Sequence, residues 1–449
     1  MQTYKDTYRE HYRALTTLGV PIVFGQVGNI LLGFADTLMI GHHSMIELAA
    51  ASFINTMLTL VIIFSQGFSM GLTPLVGNAF GRGEHQKTGQ ILRSALSANS
   101  VLALVLLAVM AVFYSCLGLM GQPAELLPYM RPYLIVNILS IPFICWLNTF
   151  KQFFDAITMT KVSMYVLLTG NIMNIGANYL LIYGPGPMPE LGLVGAGIAT
   201  LFSRIFMVCC FVAMLWRKRF VTYRKALAQS TTERSVFNRL NALGWPLAFQ
   251  LGMETAAFSL TAVIVGWIGT TALAAHQIML TISQLFYMVY YGMAAAIAVR
   301  VSHFAGTGNL AAISHTSKAG FHLILAIAFT IAIPVFLLRN HMGAWFTDDP
   351  EVCTFVANTV IILIIYQFGD GLQCTYANAL RGVSCVKPMM YIAFFSYFII
   401  SLPLSYIFGI RLGLGLPGIW AAFPVCLTCA GLLYYIAFRH HLRRMAHGA

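Results

Sequence analysis

Twelve apolar runs recur along this 449-residue chain, and each is long enough to cross roughly 30 Å of hydrocarbon as a helix. Only 9% of the residues are charged, against about 25% in soluble domains, so a soluble fold could not cover its surface. An open sheet edge cannot lie in lipid, and the runs lack the alternation of barrel strands. The sequence therefore predicts an all-α integral membrane protein. We place its twelve transmembrane helices near residues 16–40, 48–77, 90–113, 126–150, 161–183, 194–216, 240–266, 272–299, 317–338, 353–380, 388–410 and 414–438.

The positions of lysine and arginine predict how these helices cross the membrane. With both termini in the cytoplasm, the predicted inner segments contain 22 of the 26 basic residues and the predicted outer segments contain three. This excess follows the positive-inside rule and predicts an inner-membrane protein with cytoplasmic N and C termini. The remaining basic residue, Arg204, falls inside the sixth run. Because the net charge of +12 is dispersed in small groups, it indicates membrane orientation and no nucleic-acid partner.

The second half of the chain repeats the first. A shift of 225 positions places Gly19 and Pro21 on Gly244 and Pro246, and several later glycines also fall in register. Chance agreement of Gly, Ala and Leu is the alternative, but it accounts poorly for paired prolines and paired loop glycines. We therefore expect two structurally similar halves, with Pro21 and Pro246 as equivalent bend points in the first and seventh helices.

The longest polar segment divides the chain between these halves. We expect an N-lobe over residues 1–216 with helices 1–6, a basic cytoplasmic linker over 217–239, and a C-lobe over 240–449 with helices 7–12. Each half has six helices, so both run in the same direction and should be related by a pseudo-two-fold axis along the membrane normal. Substrate would then bind between the halves near mid-depth. This is the architecture of a transporter.

Three carboxylates, Asp36, Glu254 and Asp370, are flanked on both sides by apolar sequence. An acid at the bilayer centre costs about 2.5–3.5 kcal/mol or more, so each of them is a functional candidate. The alternative is a structural acid that Ser, Thr or a salt bridge satisfies. The repeat does not duplicate these acids, so the two halves share a scaffold and differ in chemistry.

At 1.5 Å of rise per helical residue, Asp36, Asn178 and Thr200 each lie roughly 8–10 Å below the predicted outer surface, and we group them on that basis. Asn171, Asn174 and Asn178 share one helix face because they are spaced i, i+3 and i+7. Amides beside a carboxylate could hydrogen-bond its ionised form or supply ligands to a cation. Interhelical packing by Asn is the alternative.

Glu254 and Asp370 are predicted to lie deeper, near the middle of their helices. Facing one cavity, they could coordinate a hard cation such as sodium or share a proton. Gly369 and Gly371 could weaken the helix around Asp370 and free carbonyl oxygens as ligands. The eighth run adds aromatic and polar side chains suited to organic cations, or to ordinary packing: Gln284, Tyr287, Tyr290 and Tyr291.

These residues together resemble the multidrug and toxic compound extrusion (MATE) family, and its NorM branch in particular, over nearly the whole chain. The carriers of the resemblance are Pro21 with Gly33-Phe34-Ala35-Asp36-Thr37, Thr73-Pro74 through Gly81-Arg82-Gly83, Asn174 with Asn178-Tyr179 and Tyr183-Gly184, Gly195 to Thr200, Glu254, and Tyr366-Gln367 with Asp370.

The resemblance implies two six-helix lobes that export bulky, often cationic, amphipathic compounds in exchange for sodium or protons. It implies an N-lobe cation site at Asp36, Asn174, Asn178 and Thr200, and a bend of the first helix at Pro21. It implies C-lobe cation-linked positions at Glu254, Tyr287 and Asp370, with sodium as the possible metal ion at Glu254 and Asp370. It also suggests a substrate contact at Asp349, although a solvated outer loop explains that residue equally well.

Two other functions compete with drug export. A flippase for lipid-linked oligosaccharides or precursors shares the helix plan, but it should place basic groups in the central cavity for pyrophosphate. An intramembrane enzyme is disfavoured because the sequence contains no HExxH motif and its histidines are scattered. We expect no enzymatic activity, no cofactor beyond the coupling ion, and a monomer whose partners are small organic cations and membrane lipid.

Overall fold

The computed structural model describes residues 2–185 and 189–447, and this part of the chain is almost entirely helical. Eleven of its helical spans are long and apolar enough to cross a membrane, and a bent helix pair makes a twelfth. The twelve predicted transmembrane helices are therefore confirmed. The helices are α1 (Gln2–His43), α2 (Met45–Met70), α3 (Leu72–Gly81), α4 (His85–Cys116), α5 (Leu127–Leu139), α6 (Ile141–Ala156), α7 (Thr160–Tyr183), α8 (Gly192–Leu215), α9 (Val221–Gln229), α10 (Arg234–Gly266), α11 (Thr270–Gly306), α12 (Leu310–Met342), α13 (Pro350–Gly382), α14 (Lys387–Phe394), α15 (Leu402–Tyr406) and α16 (Gly415–Ala446).

Several of the spans consist of consecutive segments. The helices α2 and α3 follow one another across Gly71, and α5 and α6 meet at Ser140 with a bend of 41°. Pro142, within the first turn of α6, has no N–H to continue the hydrogen-bond ladder of α5, which accounts for the break. The span Lys387–Arg411 contains two π-helical stretches, Phe395–Ser401 and Ile407–Arg411.

Contacts divide the chain into two compact units whose borders lie within helices. The N-terminal unit is Phe24–Ala248, and the C-terminal unit combines Met1–Val23 with Phe249–Ala449. Each border comes two residues after a proline, Pro21 in α1 and Pro246 in α10, and both helices continue through their prolines. This partition differs from the expected lobes because the first half of α1 packs in the C-terminal unit and the first half of α10 packs in the N-terminal unit.

Glycines allow these exchanged helix halves to approach closely. In the N-terminal unit, a Cβ on Gly67 of α2 would lie 2.6 Å from the Cα of Ala248. In the C-terminal unit, a Cβ on Gly292 of α11 would lie 2.8 Å from the backbone nitrogen of Val23. The 225-residue shift relates Gly67 to Gly292 and Val23 to Ala248. The two crossings are therefore the same contact in the two repeats.

The C-terminal unit is built around α13, which packs against α11, α12 and α16. Its core contains large aromatic side chains that are fully buried, among them Trp420, Phe423 and Tyr397. Trp420 donates its indole N–H to His276 Nδ1 at 3.1 Å, so the buried indole has a hydrogen-bond partner. This core fixes the helix faces that carry Glu254 and Asp370.

Candidate functional site

The N-terminal unit brings Asp36, Asn174, Asn178 and Thr200 together, as depth along the helices predicted. Asn178 Nδ2 donates to Asp36 Oδ1 and also lies 2.9 Å from Asn174 Oδ1. Asn174 Nδ2 in turn lies 3.5 Å from Thr200 Oγ1 and 3.3 Å from Ser203 Oγ. A continuous polar chain therefore joins α1, α7 and α8.

The two asparagines of this polar chain are buried, and among the described residues one of their side-chain oxygens is an unused acceptor. Asn178 is 0% exposed, and its Oδ1 atom has no hydrogen-bond partner within the described residues. Asn171, the third member of the predicted face, bonds instead to Asn29 on α1, at 3.2 Å. Asp36 and Asn178 thus offer oxygen acceptors that could receive a proton or a hard cation.

A partly buried arginine in the same unit acts on the charge of Asp36. Arg204 on α8 is close enough to Asp36 and to Tyr133 for their charges to interact. Its guanidinium donates to Ser140 Oγ, at the break between α5 and α6. A positive charge held in this place opposes the binding of a further cation beside Asp36.

The C-terminal unit brings Glu254, Tyr287 and Asp370 together, from α10, α11 and α13. The charges of Glu254 and Asp370 interact with each other, and both act on Tyr287. Asp370 is 2% exposed; its Oδ1 accepts from Cys374 Sγ at 3.6 Å, and its Oδ2 has no partner among the described residues. A proton or a bound cation would satisfy that oxygen.

Residues that the sequence argument did not select complete this acidic cluster. Tyr397 lies near enough to Glu254 to influence its charge, and Gln373 Nε2 donates to the Tyr397 oxygen at 2.8 Å. Tyr397 lies in the π-helical stretch Phe395–Ser401 and is fully buried. Tyrosine is common in membrane helices, so no local pattern distinguished Tyr397 from a packing residue. The widened helical turn that presents it is a tertiary feature.

The structure gives the three weaker substrate candidates different surroundings. Tyr290 is fully buried and donates its hydroxyl to Gln367 Oε1, whereas Gln284 is exposed. Asp349 is the N-cap of α13, and its Oδ1 accepts from the backbone N–H groups of Glu351 and Val352. The capping bonds give Asp349 a structural role at a helix start.

The expected weakening of the helix around Asp370 is wrong. The helix α13 runs unbroken from Pro350 to Gly382, so it frees no carbonyl oxygens there. Gly369 and Gly371 instead allow neighbouring helices to approach. A Cβ on Gly369 would lie 2.9 Å from Thr428 Oγ1, and one on Gly371 would lie 2.9 Å from Ile324 Cγ2.

Across residues 2–185 and 189–447, no three His, Cys, Asp or Glu side chains form a group that could hold a metal ion. A cation at Glu254 and Asp370 would therefore have two carboxylates as its acidic ligands. Hydroxyl, amide or water oxygens would have to supply the rest of its coordination, an arrangement that suits weakly held sodium better than a transition metal.

Solved structures of membrane transporters are similar to this chain over almost its full length. A structure of MATE in the straight conformation has a TM-score of 0.90 and 17% identity, and the match covers 97% of each chain. The eukaryotic MATE transporter AtDTX14 has a TM-score of 0.85 at 17% identity, covering 98% of this chain and 99% of its own. An outward-facing multidrug resistance MATE family transporter of the MOP superfamily has a TM-score of 0.87 at 17% identity, covering 97% and 96%.

These likenesses establish the fold, and a match to a family model goes further. The model described as MatE matches residues 21–180 and 246–407, so the match covers well over half of the chain. The two matched segments start at Pro21 and Pro246, the pair of prolines that the 225-residue shift relates. The family consists of transporters and not of enzymes. The chain therefore belongs to the MATE family of membrane transporters.

Proposed function

We propose that this transporter exports organic, mostly cationic, amphipathic compounds by antiport with sodium or protons through alternating access. The acidic pair in the C-terminal unit carries the proposal. Glu254 and Asp370 are mutually interacting carboxylates beside the aromatic rings of Tyr287 and Tyr397. Acidic groups beside aromatic faces attract an organic cation through charge and through cation–π contact. Similarity to a multidrug resistance transporter is consistent with such a substrate.

The two units differ in charge balance, which favours the C-terminal acids as the exchange site. Asp36 interacts with the positive charge of Arg204. The interacting charged partner of Glu254 is a second acid, Asp370. Two carboxylates in a poorly solvated site repel, so a sodium ion or a proton would stabilise the substrate-free state. An arriving organic cation could replace that ion.

The proposed setting is the inner membrane, with a monomer whose N and C termini are cytoplasmic. The placement of 22 of the 26 lysines and arginines on one predicted side supports this orientation. Pro21 and Pro246 are the proposed points at which α1 and α10 bend as access alternates. Each proline removes one backbone hydrogen bond, and each lies two residues before a border between the compact units.

Gradient-driven transport tests this proposal. The purified protein is reconstituted in liposomes, and a fluorescent lipophilic cation is followed under an imposed sodium gradient and then under a proton gradient alone. We expect at least one gradient to drive the dye against its own concentration gradient. The Glu254→Gln variant should lose this transport, and Glu351→Gln, in the first turn of α13, serves as the control. Failure of both gradients to move any organic cation would contradict the proposal.

A flippase for lipid-linked oligosaccharides or precursors is the second candidate, and Arg204 is the observation that favours it. This basic side chain is held within the spans of the N-terminal unit, where it could attract a pyrophosphate group. The same liposomes, loaded with a labelled lipid pyrophosphate, provide the test. Translocation of that lipid without any gradient-driven dye transport would support the flippase.

A further inference from the structure

A histidine at the end of α1 lies between two carboxylates that belong to neither of the acidic sites described above. His43 Nδ1 is 2.8 Å from Glu47 Oε2, and His43 Nε2 is 2.8 Å from Glu190 Oε1. We call these three side chains the His43 triad. Glu47 is in the first turn of α2, and Glu190 precedes α8. One imidazole ring therefore links three separate segments.

Hydrogen-bond capacity determines how many protons the His43 triad contains. An ionised carboxylate can only accept a hydrogen bond, and a neutral imidazole has a single N–H to donate. Two contacts of 2.8 Å between imidazole nitrogens and carboxylate oxygens require two donors. Either the imidazole carries both protons or one carboxylate is protonated. The observed geometry thus contains one proton more than neutral histidine with two ionised acids.

Burial and local contacts show that the surrounding structure holds the three side chains in this geometry. The Glu47 and His43 side chains are only 10% and 16% exposed, and Glu190 is 66% exposed, which leaves a route for a proton. Glu47 also takes part in the start of α2, where its N–H bonds to Ser44 Oγ. A Cβ on Gly192 would lie 2.5 Å from Glu47 Oε1, so the carboxylate fits closely against α8.

Among the described residues, the titratable groups around His43 are few. The ring of Tyr183 on α7 is 6.0 Å from the imidazole, and the Tyr183 hydroxyl is occupied by the carbonyl oxygen of Met39. The adjacent His42 bonds through Nδ1 to the carbonyl oxygen of Leu38, in its own helix. The facing charges are therefore those of Glu47 and Glu190.

The His43 triad joins the ends of the helices that build the N-terminal polar site. His43 follows Asp36 by seven residues, or two turns, so both lie on one face of α1 about 10 Å apart along the axis. Glu190 lies between α7, which carries Asn178, and α8, which carries Thr200. Loss of the triad would remove the bond between the end of α1 and Glu190, just before α8.

We propose that the His43 triad is a proton-binding site that holds α1, α2 and the segment before α8 together beside Asp36. The ligand is a proton, and binding it strengthens the packing around the N-terminal polar site. The site is separate from the Glu254–Asp370 pair. This inference rests on the proposed topology in one respect only, which is the side of the membrane from which the proton arrives.

The pH dependence follows from the charges. At low pH the triad retains its extra proton, so both contacts have a donor. As the pH rises, the triad loses that proton, and one imidazole nitrogen lone pair then faces a carboxylate. One contact is lost at that point. The packing should therefore be tight at the lower pH and looser at the higher pH.

Hydrogen–deuterium exchange on the full-length protein in nanodiscs tests the site without any transport assay. The reporter is the backbone amide of Leu191, which bonds to the carbonyl oxygen of Leu181 next to the triad. After correction for intrinsic exchange, this amide should exchange about tenfold faster at pH about 8.5 than at about 6, as expected for the loss of a charged hydrogen bond.

Three variants separate proton binding from a purely structural role. Glu190→Gln should protect the amide at both pH values, because the Gln amide N–H can donate to a neutral His43. His43→Gln should leave it poorly protected at both. His42→Gln, the neighbouring control, should behave like the unmodified protein. The proposal is overturned if the unmodified protein has no pH dependence, if Glu190→Gln retains it, or if His42→Gln abolishes it.

Discussion

At the scale of residues, the two acidic sites are completed by different kinds of partner. Asp36 has an amide donor, Asn178, and a basic neighbour, Arg204. Asp370 has a thiol donor at 3.6 Å and an acidic neighbour, Glu254. A positive charge near a carboxylate opposes the uptake of another cation, whereas two adjacent carboxylates favour it. The partners of these residues therefore suggest that the two units differ in how readily they take up a cation.

The partnership of Asp36 and Arg204 can be measured through stability. Asp36→Asn should lower the unfolding temperature, because it leaves the charge of Arg204 without its counter-charge in a poorly solvated place. Adding Arg204→Gln should recover part of the loss, with a coupling energy of about 0.5–3 kcal/mol in a double-mutant cycle. Thermal unfolding in detergent of the unmodified protein, the two single variants and the double variant gives this coupling energy. Asp36→Asn should also abolish coupled export while membrane insertion stays normal.

Two results would contradict this role for Asp36. Strictly additive losses in the double-mutant cycle would mean that Asp36 and Arg204 do not interact. Normal drug export by a well-expressed Asp36→Asn variant would remove Asp36 from the coupling machinery, whatever its contribution to stability.

At the scale of elements, the exchanged halves of α1 and α10 depend on helix crossings at glycine. Pro21 and Pro246, which have no backbone N–H, occur just before the point where each helix passes from one compact unit to the other. Gly67 and Gly292 contact the helices just beyond these prolines. A Cβ added at either glycine would lie within 3 Å of a backbone atom of the facing helix. Each compact unit therefore pairs a glycine of one repeat with the helix just beyond the proline of the other repeat.

A methyl group at either crossing should destabilise the fold. Gly67→Ala and Gly292→Ala place a Cβ where backbone atoms leave no room, at an expected cost of about 1–3 kcal/mol. Gly33→Ala in α1 is the matched control, since an added Cβ there meets nothing within 4 Å. It should be neutral, or stabilising by up to about 1 kcal/mol through helix propensity. Unfolding temperatures in detergent measure all three.

Equal unfolding temperatures for Gly67→Ala and Gly33→Ala would show that the crossing can relax. If only one of Gly67→Ala and Gly292→Ala is destabilising, the two crossings are not equivalent in energy, although the repeat relates them.

Helix positions and the N-terminal polar site were predictable because both depend on spacing along single helices. The depth of Asp36, Asn178 and Thr200 follows from 1.5 Å per residue, and the bonds from Asn178 to Asp36 and Asn174 agree with that grouping. Tyr397 could not be found in this way, because its approach to Glu254 depends on packing between α10 and a π-helical stretch. The exchange of helix halves also depends on contacts between distant segments.

At the scale of the whole molecule, one duplicated scaffold carries two unlike sites. The 225-residue shift relates Asp36 to Thr261, whose hydroxyl only bonds back to the carbonyl oxygen of Ala257 in its own helix. It relates Glu254 to Asn29, which belongs to the amide contacts of the N-terminal unit. The repeat thus preserves backbone packing at its glycines and prolines while the ionisable groups differ. An exchanger could use this asymmetry by taking up its coupling ion in one unit only.

Neutralising both C-terminal acids tests that asymmetry in the intact transporter. In the proposed exchange, a sodium ion or a proton at Glu254 and Asp370 competes with the organic cation, and the two ligands favour different conformations. The Glu254→Gln/Asp370→Asn double variant should therefore bind a cationic dye weakly and should no longer release it when sodium or protons are added outside. Dye efflux from preloaded liposomes, followed after a step in external cation, gives both quantities. Release that persists in the double variant would assign the coupling to the Asp36 unit alone.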